Sequence, residues 1–273
     1  MKLSDMLEMA SRTDPGLLRS RNEDAVFADA SLGVAILADG MGGYSAGEVA
    51  SGMACDLLAT GFSRLVPTCN EHTDGDGDPA FLRQHLVSEV RAANLGIFQA
   101  AQGEPNYVGM GTTLVLAWFY DNRVGVAHVG DSRFYRLRHD DFELLTRDHS
   151  LLQEQIDSGM ITPEEARFSE HRNLVTRALG VYPEVDVEAH VHDVQTGDLL
   201  LLCSDGLSEM VEREEIKQTL LTMGGNLELA ADQLLRLAND NGGRDNISLI
   251  LVRVMGDFGQ ARGWAQRLWA AMK

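Results

Sequence analysis

Short apolar runs alternate with polar segments along this chain, and their spacing predicts both strands and helices. The run from Leu32 to Ala38 is apolar and contains β-branched residues, so it predicts a buried strand ending at an Asp-Gly turn. Apolar residues recur at helical spacing from Ala46 to Leu65 and from Phe81 to Ala101. The segment 70–79 between them is polar and rich in glycine and aspartate, which predicts a loop.

The rest of the chain carries further strand-like runs, several of them separated by only a few residues. Such short separations predict antiparallel hairpins. The predicted strands are Thr112–Phe119, Arg123–Val129, Phe134–Arg138, Phe142–Leu145, Val185–His192, Asp198–Cys203 and Asn246–Val254. Helical patterns cover Glu212–Leu221 and Leu227–Ala238, and a helix start lies at 162–165. Strands and helices come in blocks, which predicts an α+β fold with largely antiparallel sheets.

Five short acidic motifs punctuate this pattern, and three of them adjoin an apolar run. They are Arg19-Ser20-Arg21-Asn22-Glu23-Asp24, Asp39-Gly40-Met41-Gly42-Gly43, Gly130-Asp131-Ser132-Arg133, Ser204-Asp205-Gly206 and Arg244-Asp245-Asn246. Each Asp-Gly pair alone is also a common turn signal. Together, however, aspartates at the ends of buried strands are costly unless their charge is compensated. A shared cluster of hard divalent cations would compensate it, which indicates a metalloenzyme acting on a phosphorylated substrate.

Composition narrows the classes of partner. The chain has 273 residues, and 23 Lys plus Arg against 41 Asp plus Glu give a net charge of −18. This charge would repel nucleic acid and anionic membranes, although its simplest interpretation is solubility. Three cysteines without a CxxC pair argue against a disulfide framework. The N-terminus lacks a signal-peptide pattern and no run is long enough to span a bilayer, so we expect a cytoplasmic protein without membrane insertion.

The ordered motifs resemble those of bacterial type 2C protein phosphatases, a family of metal-dependent Ser/Thr phosphatases. The resemblance extends from about Ala10 to Val254 and includes several motifs besides the acidic ones. These are Gly109–Thr113, Leu145–Ser150, Ser158–Thr162 and Asn173–Gly180. The resemblance implies a four-layer α-β-β-α sandwich, with two central antiparallel sheets flanked by helices and a metal site at the edge between the sheets.

The same resemblance implies a domain organisation. Residues 1–255 would form one catalytic domain, with a flap subdomain at about 147–180 beside the active site. Residues 256–273 would form an amphipathic C-terminal tail, because Trp264, Leu268 and Met272 recur at helical spacing. Packing of this tail on the domain is the simpler interpretation, and a docking helix is the alternative.

The resemblance also assigns roles to individual residues. The metal ligands would be Asp39 as the bridge between two core ions, Gly40 through its carbonyl, Asp205 and Asp245 at the first ion, Glu23 and Asp24 at the second ion partly through water, and Asp131 with Asp205 at a third, weaker ion. The ions would be Mn²⁺ or Mg²⁺. Arg19 would bind the substrate phosphate, since a guanidinium fork suits phosphate geometry, and Arg21 is the second choice.

The implied reaction is hydrolysis of phosphoserine and phosphothreonine in proteins by direct attack of a water or hydroxide that bridges the metals. Arg19 and Asp39 would be its catalytic residues. We expect a monomer that acts on phosphorylated proteins and opposes a bacterial Ser/Thr kinase. Animal members carry a histidine where Met41 stands, so the general acid is open between His149, at the start of the flap, and a metal-bound water.

Three alternative functions compete with this one. A catalytically inactive relative should lack some metal aspartates, and here none of the matching positions is lost. A phosphatase for small molecules could use the same site. An aspartyl-phosphate phosphohydrolase would need an Asp-x-Asp motif, which Asp39-Gly40-Met41 does not supply.

Two other metal sites are disfavoured. An EF-hand calcium site at Asp74, Asp76 and Asp78 is disfavoured because Pro79 stands where glycine is required. A metal site at His190 and His192 is disfavoured because no third ligand lies nearby in sequence.

Overall fold

Two antiparallel sheets lie face to face between two pairs of helices. The computed structural model describes residues 2–42, 46–71, 78–166 and 174–259. In spatial order, the first sheet contains β1 (Leu7–Asp14), β11 (Ile247–Val254), β10 (Leu199–Cys203), β7 (Arg133–Arg138) and β8 (Asp141–Leu144). The second contains β2 (Asp24–Asp29), β3 (Val34–Met41), β5 (Leu114–Tyr120), β6 (Arg123–Val129) and β9 (Glu188–Asp193), while β4 (Gly111–Thr112) pairs with the end of β3.

Long helices cover the outer face of each sheet. Helices α1 (Ala46–Glu71) and α2 (Pro79–Gly103) pack on the second sheet, and α6 (Arg213–Met223) and α7 (Leu227–Asp240) pack on the first. Shorter helices are α3 (Leu151–Asp157), α4 (Pro163–Ala166) and α5 (Asp205–Ser208), with 3₁₀ turns at Leu3–Asp5 and Pro105–Tyr107. The predicted α+β fold and its four layers are therefore confirmed. None of the helices in the described ranges is long and apolar enough to cross a bilayer.

Strand β3 shows how the alternation of side chains builds both the core and the site. Ile36 and Ala38 point into the layer under α1 and α2, whereas Leu37 points into the layer between the sheets. Val115 and Ile250 belong to that same inner layer. Because both faces of β3 are buried, it is apolar throughout until its polar end. A buried strand of this kind holds its terminal aspartate firmly in place.

The strand predicted at Leu32–Ala38 differs from the one observed. Strand β3 does not end before the Asp-Gly pair but continues to Met41. It continues because neighbours pair with it on both sides: Asp24 of β2 lies opposite Asp39, and Thr112 of β4 lies opposite Gly40. The predicted turn at Asp39-Gly40 was therefore wrong, since both residues are part of the sheet.

Strands β1 and β2 have no clear signature in the sequence. In β1 only Leu7 and Ala10 are buried, so alternation is weak. This strand is ordered mainly by its partner, because all eight of its residues pair with β11. Long-range pairing of this kind overrides weak local preference.

The helices are longer than predicted. Helix α1 extends to Glu71 although it contains Pro67, and α2 begins at Pro79, capped by the Asp78 side chain. The flap segment begins with α3 and α4, and the predicted start at Thr162 is a capping box in which Glu165 accepts a hydrogen bond from the Thr162 N–H at 2.8 Å. Residues 167–173 of the flap and 260–273 of the predicted tail lie outside the described residues.

Candidate metal centre

Acidic side chains from distant parts of the chain converge on one pocket of about 550 Å³. It lies where the carboxyl ends of β3 and β10 meet the turn after β6 and the residues before β11. Seven of the eight residues predicted for the site line it: Arg19, Glu23, Asp39, Gly40, Asp131, Asp205 and Asp245. Met41 also lines the pocket. The sheets thus gather residues that are separated by more than two hundred positions in sequence.

Asp24, the eighth predicted residue, does not line the pocket. It sits directly opposite Asp39 in the antiparallel pair of β2 and β3, and it is 9% exposed. Its Oδ2 accepts a hydrogen bond from the Ser204 hydroxyl at 3.0 Å. Burial raises the pKa of Asp24 to about 6. Directly opposed residues of an antiparallel pair point to the same face of the sheet, so Asp24 lies beside Asp39 and is buried more deeply.

Buried carboxylates of the pocket repel one another. Burial, together with the negative charge of neighbouring aspartates, raises the pKa of Asp39 and of Asp205 well above the usual range. Burial and the charge of Asp148 raise the pKa of Asp131 to about 6. Like charges in a poorly solvated site disfavour ionisation, so the cluster calls for a compensating positive charge.

Two observations test whether divalent cations fit this site. The Oδ1 atoms of Asp24 and Asp205 are buried and have no hydrogen-bond partner. Unpartnered buried oxygens are rare in native proteins and point to a missing ligand. The donors are all oxygens, which is the set that Mg²⁺ and Mn²⁺ prefer. The residues therefore fit hard divalent cations.

Gly40 brings backbone close to the pocket. Its N–H donates to the Glu23 carbonyl at 3.1 Å, and an added Cβ would collide with the carbonyl oxygens of Glu23 and Gly47. Only glycine allows this approach between β3, the segment before β2 and the start of α1. Gly40 is thereby held at the pocket wall, where its backbone can approach a ligand.

Thr113 connects two parts of the site, a role that the sequence did not reveal. Its N–H donates to the Asp39 carbonyl at 2.8 Å, and its hydroxyl accepts from the Asp39 N–H at 3.2 Å. The same hydroxyl lies 2.7 Å from that of Ser132. Asp39 and the turn that carries Asp131 are therefore fixed relative to each other. The sequence signal was its place at the end of the Gly109–Thr113 motif, which did not indicate this role.

Asn246 is the second residue whose importance was missed. It is 6% exposed, and its Oδ1 accepts from the Glu23 N–H at 2.8 Å. Its Nδ2 donates to the carbonyls of Pro15 at 3.0 Å and Arg21 at 2.8 Å. One amide thus holds the whole segment that carries Arg19 and Glu23. Its place beside Asp245 in the fifth motif was a signal, but not of this role.

Replacing Asn246 by alanine should unfasten that segment. Three hydrogen bonds are lost and their partners are left partly buried, so we expect a loss of about 3 kcal/mol in the free energy of unfolding. Urea unfolding with a chelator present measures it. Asn246→Asp is the matched variant, since it keeps an acceptor for the Glu23 N–H but turns a buried carboxylate oxygen toward the carbonyls of Pro15 and Arg21, so it should be at least as unstable as Asn246→Ala. Equal stability of all three proteins would contradict this role.

Arg19 is available to an anionic ligand although it is already paired. Its Nη2 donates to Asp245 Oδ2 at 2.6 Å, and its side chain is 56% exposed. Arg21 also lines the pocket. The pair with Asp245 holds the Arg19 guanidinium over the carboxylate cluster, where its remaining N–H groups can meet a phosphate.

His149, the candidate general acid, is outside the residues that line the pocket. It is 5% exposed, and both ring nitrogens have partners: Nδ1 lies 3.2 Å from the Gly130 N–H and Nε2 lies 3.2 Å from Glu188. Neither nitrogen is left to protonate a leaving alcohol. The structure therefore favours the structural role for His149 over the catalytic one.

Comparison with known proteins identifies relatives of the whole described fold. Residues 19–247 match the model of the family described as protein phosphatase 2C. The chain is 40% identical over 258 residues to "Serine/threonine protein phosphatase PstP" of Mycobacterium tuberculosis, covering 94% of this chain and 47% of that protein. It is 39% identical to "Serine/threonine phosphatase stp" of Listeria innocua, covering 88% and 93%.

A solved structure is similar as well. It is the catalytic domain of PstP in complex with two manganese ions, which superposes with a TM-score of 0.77 at 38% identity and covers 92% of this chain and 99% of that one. The mycobacterial relative is thus about twice as long as the region it shares with this chain, whereas the Listeria relative and the solved domain match nearly end to end.

Proposed function

Because this chain belongs to the protein phosphatase 2C family, we propose that it is a metal-dependent protein serine/threonine phosphatase, a phosphoric monoester hydrolase. The observation that carries the proposal is the pocket itself. Four aspartates share it with an arginine that can reach a phosphate, and burial together with neighbouring negative charge raises the pKa of two of them, Asp39 and Asp205. Relatives named as serine/threonine phosphatases, over most of this chain, supply the substrate class.

The proposed metal site consists of two core cations and a weaker third. Asp39 would bridge the core pair, with Asp205, Asp245 and the carbonyl of Gly40 completing it. Glu23 would serve the second cation, and Asp24 would support it from its position beside Asp39. Asp131 would hold the third cation together with Asp205. The manganese complex of the related domain supports Mn²⁺, and the oxygen-only donor set is equally suited to Mg²⁺.

The protein's own residues have distinct tasks around these cations. When bound, such cations supply Lewis-acid chemistry, lowering the pKa of water and neutralising charge on phosphoryl oxygens. Arg19 orients the phosphate through its guanidinium and offsets charge that develops on it. Asp245 steers Arg19 by the ion pair between them. Thr113 and Asn246 keep the segments that carry these groups in register.

The pocket also bears on what can bind beside the phosphate. It lies at the protein surface, between the Arg19–Arg21 segment and Val175 of the flap. We propose a phosphorylated protein segment as the substrate, a cognate Ser/Thr kinase as the opposing enzyme and a cytoplasmic monomer as the working form. The proposed catalytic domain spans 1–255, with the flap at 147–180 along one side of the pocket.

A phosphopeptide assay tests this function. With Mn²⁺ present, the protein should release phosphate from a phosphothreonine peptide, and excess chelator should stop the release because the cations are removed. Readdition of Mn²⁺ in excess over the chelator is the control for irreversible unfolding. Activity that survives chelation would contradict the proposal. Turnover of p-nitrophenyl phosphate without turnover of any phosphopeptide would favour a small-molecule phosphatase instead.

A further inference from the structure

The turn that carries Asp131 is hydrogen-bonded to His149, near the start of the flap. The N–H of His149 donates to the carbonyl of Gly130 at 2.9 Å, and the N–H of Gly130 donates to Nδ1 of His149 at 3.2 Å. Both backbone groups of Gly130 are thus taken by one residue. Gly130 has φ of +104°, and a Cβ there would lie 2.6 Å from Cβ of Thr113, so this turn has little freedom to compensate for a lost contact.

The tautomer of His149 follows from its two partners. A backbone N–H can only donate, so Nδ1 must present its lone pair to Gly130. The neutral ring then carries its proton on Nε2, which lies 3.2 Å from Oε2 of Glu188. Burial lowers the pKa of His149, which keeps the ring neutral. Glu188 therefore selects the tautomer that can hold Gly130.

Neighbouring contacts align the same two segments along their length. Arg133 donates to both oxygens of Asp148, at 2.7 Å to Oδ2 and 3.0 Å to Oδ1. The ring of His128 stacks on that of His149 with centroids 4.7 Å apart. Asp148 and His149, near the start of the flap, therefore hold the chain on both sides of Asp131. His149 makes its contact at Gly130, the residue directly before Asp131.

We propose that His149 is a positioning residue for the third cation: held in one tautomer by Glu188, it fixes Gly130 and thereby the carboxylate of Asp131. This inference rests on the proposed role of Asp131. It also links the flap to the metal centre, because His149, near the start of the flap, sets the position of the proposed ligand Asp131. Residues that orient metal ligands from outside the ligand set commonly change metal affinity by about 10- to 100-fold when mutated.

A metal site within the histidine cluster itself is the competing interpretation. Ligand atoms of His128, His149 and Glu188 lie within 4.8 Å of one another. A cation on Nε2 of His149, however, would move the ring proton to Nδ1, where it would face the N–H of Gly130. The hydrogen bond at Gly130 therefore excludes His149 as a ligand in the observed arrangement, and the positioning role accounts for both ring nitrogens.

Binding of Mn²⁺ to the full chain tests the proposal without relying on activity. Isothermal titration calorimetry measures the binding of Mn²⁺, and electron paramagnetic resonance measures the free Mn²⁺ that remains. Together they separate the strong binding steps of the core cations from the weak step of the third cation. His149→Gln extends toward Glu188 but cannot reach Gly130, so it should weaken the weakest step by about tenfold. His149→Asn places an amide oxygen near the position of Nδ1, so it should retain most of that affinity. Asp131→Asn is the benchmark that removes the weak step.

The outcomes separate the positioning role of His149 from the proposed phosphatase function. Loss of the weak step in Asp131→Asn and His149→Gln, with recovery in His149→Asn, supports the positioning role. Loss in Asp131→Asn alone overturns it and leaves the proposed function intact. No change in Asp131→Asn overturns the third-cation assignment and the inference with it, while phosphopeptide hydrolysis judges the phosphatase function separately. Equal weakening of all steps in both His149 variants, with equal falls in melting temperature, means a general structural role and also overturns the proposal.

Discussion

Asp39→Asn should lower Mn²⁺-dependent hydrolysis of a phosphothreonine peptide by at least about 10²- to 10³-fold, the scale on which single charge-stabilising groups act. Asp39 is the proposed bridge, and an amide offers one neutral oxygen where the carboxylate offers two charged ones. The same change should make the metal-free protein more stable at pH 7. Burial and the charges of Asp24 and Asp205 raise the pKa of Asp39, so its ionised form is a liability without cations.

Opposite signs in rate and stability make this prediction specific. Initial rates give the first quantity, and urea unfolding in chelator gives the second. Asp198→Asn is a matched control, since Asp198 is 2% exposed but pairs with Arg138 at 2.7 Å, far from the pocket. Its loss should destabilise the protein and leave turnover unchanged. An Asp39→Asn protein that keeps most of its activity, or that loses stability as the control does, would contradict the proposed bridge.

Asp131→Asn should stabilise the metal-free protein by about 3 kcal/mol at pH 7, and this gain should shrink as the pH falls. Burial raises the pKa of Asp131 from 3.8 unfolded to about 6 folded. A carboxyl with a raised folded pKa contributes its full stability below pH 3.8, and this contribution is lost as pH rises through 6. The wild-type protein therefore carries the penalty at pH 7 and sheds most of it by pH 4.

The difference between the two proteins is the quantity to measure. Buried His128 has a pKa lowered to about 4, so its protonation destabilises the folded state as pH falls, in the opposite direction. Subtracting the unfolding free energies of wild type and variant at pH 5, 6 and 7 cancels this contribution. A constant difference would show that Asp131 titrates normally. Saturating Mn²⁺ at pH 7 should reverse the order, because the wild type then gains binding energy.

The sheets were predictable where one strand is apolar by itself. Strand β10, in which every residue is buried, could be predicted from its own apolar run without knowledge of its partner strands. Strand β1 does not, because its order comes from β11, which is more than two hundred residues away. The end of β3 was misplaced for the same reason: β2 and β4 extend it past the Asp-Gly pair that normally signals a turn.

The site was predictable as a set of residue types and less so as an arrangement. Aspartates at several strand ends together marked the pocket, since so many charges beside apolar runs are costly unless they are compensated. The sequence could not show that Asp24 lies beside Asp39 without lining the pocket, because that depends on strand register. Nor could it show the support from Thr113 and Asn246, whose partners are backbone atoms of other segments. Hydrogen bonds to the backbone of distant segments depend on the fold and cannot be deduced from the identity of those segments' residues.

The position of β11 has a consequence for synthesis of the chain. This strand lies between β1 and β10, yet it follows both of them in sequence. The first sheet therefore cannot close while the ribosome is still adding residues before Ile247, and Asp245 and Asn246 arrive only just ahead of that strand. Asp24, Asp39 and the turn that carries Asp131 belong to the second sheet, which does not contain β11. Because domains fold as units during translation, Asp205 and Asp245 can join them only after nearly the last strand emerges, so a nascent chain that ends before Ile247 cannot complete the pocket.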